Sequence, residues 1–150
     1  MKMYTSYTSY ILFLLLSLIY CKTKDELMKD FVKCANDQVG KEYSEELNSR
    51  GPSVFSNAGL LWYCRSVAGF PKTSTIYVNW RDVKRPRVGA YVYGITEERG
   101  GSVSADLLGI IVSINPTMVV AGDKEKGVLT KQILKFKKKY KKIEYQFVDF

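Results

Sequence analysis

The chain contains no histidine. It cannot supply an imidazole from its own residues, which excludes the serine and cysteine hydrolase triads that depend on one. Histidine-ligated metal sites fall with them. No group of residues has metal-ligand spacing, and no cofactor is implied. Asn115-Pro116-Thr117 places the forbidden proline inside what would otherwise be a glycosylation acceptor. Proline is scarce, at 4 of 150 residues, beside 46% hydrophobic, 13% aromatic and 25% charged residues, which excludes a disordered, collagenous or low-complexity chain. A chain of 150 residues is instead long enough for one domain with a substantial core.

Residues 1–21 read as a secretory signal. Lys2 gives a weak positive lead, and Ile11 to Tyr20 is an apolar run of suitable length, with cleavage expected after Cys21. Left uncleaved, the uncharged stretch from Met3 to Cys21 would serve as a membrane anchor. Lipid attachment at Cys21 is disfavoured by the bulk of Tyr20. The expected product is a secreted single domain, residues 22–150, holding two cysteines. In an oxidising compartment Cys34 and Cys64 can pair, closing a loop of about 30 residues and contributing roughly 3–4 kcal/mol. The alternative is a pair of buried thiols acting as small hydrophobes.

The net charge of +8 is local: residues 124–142 hold nine lysines against Glu125 alone, and the rest of the chain balances. Any pull on an anionic partner therefore lies near the C-terminus. A lysine-guarded edge strand or solvated helix face has the same signature.

Thr23-Lys24-Asp25-Glu26 forms a capping box ahead of Leu27, Phe31, Cys34 and Ala35 at helical spacing, predicting a helix that closes near residue 39 before Gly40. Lys41 to Val54 reads as a loop. Ser56 or Asn57 caps a second helix through Leu60, Leu61, Cys64, Arg65 and Val67, stopped at Gly69. Strands follow: Arg87 to Tyr93, then Leu107 to Ile114 and Thr117 to Ala121 about an Asn115-Pro116 turn, with Glu97 to Ser104 as a loop. Their continuous apolar runs predict burial on both faces. Leu134, Phe136 and Tyr140 alternate, then Ile143, Tyr145 and Phe147 in the opposite parity, which predicts strands with a break near Lys141. Ile133, Phe136, Tyr140, Ile143 and Phe147 fit a helical stripe as well. The expected class is α+β, with N-terminal helices packed on one face of an antiparallel sheet.

The runs Ala35 to Tyr43 (ANDQVGKEY) and Phe55 to Gly69 (FSNAGLLWYCRSVAG), followed by Pro86 to Tyr93 and Leu107 to Val112, resemble in order and spacing the NlpC-type family of papain-like cysteine peptidases and amidases, many of which cleave peptidoglycan stem peptides. The resemblance covers roughly Lys24 to Leu129 and implies the papain-like NlpC-type fold. Such enzymes set a cysteine at a helix N-terminus, where the helix dipole lowers its pKa. A histidine on a neighbouring strand and an orienting polar residue complete the site. Carried onto this sequence, those three positions fall on Asn57, Leu107 and Val120, and an aspartate of the family's pattern falls on Ala90. The resemblance therefore implies a catalytically empty member.

Cys64 is the remaining candidate nucleophile, but it sits seven residues beyond Asn57, about 10 Å deeper along the helix. Glu97, Glu98 and Asp106 flank the expected cleft as candidate acid–base carboxylates, or as loop charges neutralised by Arg99. Trp62, Tyr63, Tyr77, Trp80, Tyr91 and Tyr93 either line a groove or pack the core. Asn57, Trp62, Tyr91, Lys137, Lys138 and Lys139 are the ligand-binding candidates.

Three functional readings follow. The first is a secreted, non-catalytic NlpC-like module that binds an anionic glycan, a peptidoglycan fragment or a protein, through the vestigial cleft or the basic segment 124–142. The second is an active cell-wall cysteine hydrolase with an atypical site. The third is a basic anionic-surface binder. Nucleic acid is not an expected partner of a secreted chain, and a membrane is one only if the leader is retained.

Overall fold

The structure, a computed structural model, describes residues 22–46, 49–71, 80–97 and 102–148. The expected leader, residues 1–21, lies outside the described residues, as do Tyr77, Glu98 and Arg99, and the side chains of Trp80 and Glu97.

Helix α1 (Lys24–Asp37) starts where its capping box predicts: Glu26 N–H donates to Thr23 Oγ1 and the Glu26 carboxylate accepts from Thr23 N–H at 2.8 Å. It ends two residues before the expected boundary, and its apolar stripe buries Phe31, Cys34 and Ala35. Helix α2 (Asn57–Ala68) is capped by Ser56, whose Oγ accepts from Gly59 N–H at 3.0 Å, and stops at Gly69 with φ +94°, a left-handed conformation open to glycine. Cys34 and Cys64 form a disulfide with Cα atoms 5.4 Å apart, fastening α1 to α2 inside the core. Of the two states open to these cysteines, the bonded one is present.

The region expected to be loop between the helices holds two short parallel strands, β1 (Glu42–Tyr43) and β2 (Val54–Phe55). The main sheet has six strands: β3 (Trp80–Val83), β4 (Tyr91–Glu97), β5 (Val103–Ile114), β6 (Thr117–Asp123), β7 (Gly127–Gln132) and β8 (Lys142–Val148). Their order is β3-β8-β4-β5-β6-β7 and every neighbouring pair is antiparallel. The class is therefore α+β, as the sequence indicates. β5 begins four residues earlier than expected, and the Asn115-Pro116 turn joins it to β6.

The long apolar runs of β4, β5 and β6 are explained by two cores. Tyr91, Tyr93, Ile110 and Val120 face α1 and α2, whereas Val92, Leu108, Ile111, Val119 and Ala121 face the other way. Phe31 fixes the first core, meeting Phe70 and Tyr91 edge-on at 5.7 and 5.8 Å. The second is covered by Ile133 and Tyr140, with Phe136, Ile143, Tyr145 and Phe147 at its margin.

The expected strand through Leu134, Phe136 and Tyr140 is corrected: Ile133–Lys137 is a short helix, α3. Ile133 is buried, Phe136 is half-buried on the same side and Tyr140 follows in the turn beyond the helix, while Leu134, which a strand would turn inward with Phe136, is 60% exposed. The predicted break near Lys141 separates α3 from β8, where the expected alternation of Ile143, Tyr145 and Phe147 holds.

Candidate functional site

The N-terminus of α2 abuts the middle of the sheet through one side chain. Asn57 Nδ2 donates to the Leu107 carbonyl on β5 at 3.0 Å, and its Oδ1 accepts from Gly122 N–H on β6 at 2.8 Å. An amide carries a donor and an acceptor on one short planar group, so asparagine meets both strands at once. Position 122 must be glycine for the same junction to close, because a Cβ there would run into the Tyr43 ring.

A cleft of about 840 Å³ opens beside this junction. Asn57, Leu107 and Gly122 form part of its wall, with Tyr43 and Tyr93 nearby. Tyr140 donates its hydroxyl proton to Asp106 Oδ2 at 3.0 Å. Burial, and after it this bond to a carboxylate, pushes the Tyr140 hydroxyl up to about 12. Asp123 is held below the usual carboxylate range by Lys131, 2.7 Å away, and by the N–H groups of Glu125 and Lys126.

The cleft wall contains five lysines (124, 126, 131, 135 and 139) against three carboxylates, Glu45, Asp106 and Asp123. Lys124 pairs with Glu45 at 2.9 Å and Lys131 with Asp123. Lys126, Lys135 and Lys139 make no ion pair among the described residues. The cleft and the basic segment, separate features in the sequence, are thus one place. Lys135 reaches it from α3 and Lys139 from the turn that follows, where Lys139 and Tyr140 N–H donate to the Phe136 carbonyl, whereas Lys137 and Lys138 do not line it.

Of the candidates from sequence, Asn57 and Lys139 line the cleft, while Lys137 and Lys138 are exposed outside it. Tyr91 is corrected: at 1% exposure in the first core it has no surface to offer a ligand. Trp62 lines a different depression, since five residues from Asn57 turn the helix face by about 140°. Leu107 meets Asn57 through its carbonyl, but Val120 is buried against the helices, and Gly122, two residues further on the same face of β6, takes the contact. Ala90 is buried in the second core. Cys64 is bonded to Cys34 and fully buried, so it presents no thiolate.

Lys126, Lys131 and Lys135 were not singled out by sequence. Their signal was present in the shared strand face of Leu129 and Lys131 and in the i,i+4 spacing of Lys135 and Lys139. It becomes readable only when residues 133–137 are helical. Among the described residues no cluster of three acidic or cysteine side chains could hold a metal ion, and no helix is long and apolar enough to cross a membrane. No protein-family model and no curated protein matches the chain.

Proposed function

We propose that this chain is a secreted, non-catalytic module of the papain-like NlpC type that binds an acidic cell-wall or glycan fragment in the cleft at the N-terminus of α2. The observation that carries the reading is the state of Asn57. At the position the resemblance gives to a nucleophile, its side chain spends both polar ends on the backbone of β5 and β6. It acts as a clamp, and a carboxamide offers no nucleophile in place of a thiolate. The leucine at position 107 and the absence of histidine leave the neighbouring strand without an imidazole base. Around that clamp the balance of charge is positive, which favours a carboxylate- or sulfate-bearing ligand. The cysteine-hydrolase alternative loses its nucleophile to the disulfide.

The test is calorimetric titration with soluble peptidoglycan fragments and with a sulfated oligosaccharide, at low and high salt, followed by product analysis. Binding that weakens with salt is expected, with no bond cleaved. Reversing Lys126, Lys135 and Lys139 to glutamate should weaken it by about tenfold or more. Cleavage products from the unaltered chain, or binding indifferent to the triple reversal, would overturn the reading.

A further inference from the structure

A second depression, about 430 Å³, lies along the C-terminal half of α2, where Trp62, Tyr63 and Phe70 form apolar walls and Arg50 and Arg65 supply the charge. Arg65 is anomalous. It is 5% exposed, and no carboxylate pairs with it among the described residues. Its Nη1 is buried without a hydrogen-bond partner. Its guanidinium lies over the Phe70 ring at 5.2 Å and beside the Tyr91 hydroxyl. Burial raises the pKa of that hydroxyl, which stays neutral and cannot balance the cation. A buried guanidinium whose neighbours are a neutral hydroxyl and a ring, with no carboxylate among the described residues, is costly to keep, and core-facing positions of a helix ordinarily carry apolar residues. Leu61 and Cys64 on the same helix do so.

We infer that this pocket binds a carboxylate attached to an aromatic or aliphatic body. The anion would pair with Arg65, Arg50 would flank the mouth, and the body would lie against Trp62, Tyr63 and Phe70. A single buried guanidinium matches one negative charge, and its planar fork matches a carboxylate. The volume suits a small organic acid or the terminal residue of a peptide. The site is separate from the lysine-ringed cleft and shares no lining residue with it.

Phenylacetate, its neutral analogue phenylacetamide, and the peptide Gly-Gly-Gly-Phe with a free or amidated C-terminus are titrated against the full chain. The Trp62 indole N–H resonance, assigned with Trp62→Phe, is the readout. The expected result is a saturable shift with the carboxylates and none with the amides. Arg50→Ala should weaken binding by about fivefold, and Arg65→Met, which keeps the bulk and removes the charge, should abolish it. Tighter binding of the peptide than of phenylacetate assigns the ligand as a chain terminus, and the reverse assigns a free acid. Equal response to acid and amide, no response to either acid, or binding unchanged in Arg50→Ala would overturn the inference. These three outcomes decide it even if Arg65→Met does not fold.

Discussion

Asn57 illustrates how much a single side chain can hold together. Its amide ties α2 to two strands that follow 50 and 65 residues later, and each bond satisfies a backbone group that would otherwise face the cleft. Asn57→Ala removes both bonds and leaves the Leu107 carbonyl and the Gly122 N–H to water or to nothing. The expected cost is about 1–3 kcal/mol, seen as a lower urea midpoint. Asn57→Asp should also lose stability, because it keeps an acceptor for Gly122 but sets a second oxygen against the Leu107 carbonyl. Unchanged midpoints in both variants would mean the clamp contributes nothing. The same residue shows why a motif position alone is a weak guide. The resemblance names position 57, whereas the role it plays there is visible only from its partners.

At the scale of elements, α3 is the instructive case. Residues 133–147 satisfy two periodicities, and β-branched and aromatic content favours strand over the whole stretch. Tertiary packing decides otherwise for its first half, because Ile133 and Tyr140 must both reach the second core from the end of β7. The helix turns Ile133 to that core and Leu134 to solvent, and the turn that follows it brings Tyr140 to the same side. Ile133→Ala is therefore expected to cost about 2–4 kcal/mol, and Leu134→Ala no more than about 0.5 kcal/mol. Thermal or urea unfolding of the two variants gives the comparison. A larger loss at Leu134 than at Ile133 would restore the strand. The disulfide acts at this scale as well, fixing α2 against α1 so that the N-terminus of α2 stays seated on the sheet.

Across the molecule, tyrosine is the titrating residue that folding perturbs most among the described residues. Burial raises the hydroxyls of Tyr43, Tyr91, Tyr140 and Tyr145, with Asp106 adding to the effect at Tyr140. A group whose folded pKa is raised contributes its full stability below the unfolded value, about 10 for tyrosine. That contribution is lost as pH climbs beyond it, because the unfolded chain releases its protons first. The urea midpoint should therefore fall from about pH 10 towards about pH 12. Tyr140→Phe should flatten part of that fall, since its hydroxyl titrates only near 12 when folded. A midpoint constant over this range would contradict the assignment. The carboxylates with lowered pKa values, Glu26, Asp30 and Asp123, act at the opposite end, and their contribution is lost as pH falls through those depressed values. All three are paired near solvent, where screening keeps their effect small.

The sequence by itself determined the boundaries that local chemistry sets: the capping box at Thr23, the start of α2 at Ser56 or Asn57, the Gly69 stop, the turn at Asn115-Pro116 and the two-sided burial of β5 and β6. It also determined the missing imidazole. These signals act within a turn or two of chain, so they survive without knowledge of the fold. Tertiary structure alone decided that Cys34 and Cys64 are bonded, that Tyr91 belongs to the core and that Gly122 rather than Val120 meets Asn57. It also gathered lysines of the basic segment around the same cleft. Those outcomes depend on contacts closed over 30 to 65 residues. At that range the partner is chosen by strand order and by which face of each element is already buried, and neither is written in local periodicity.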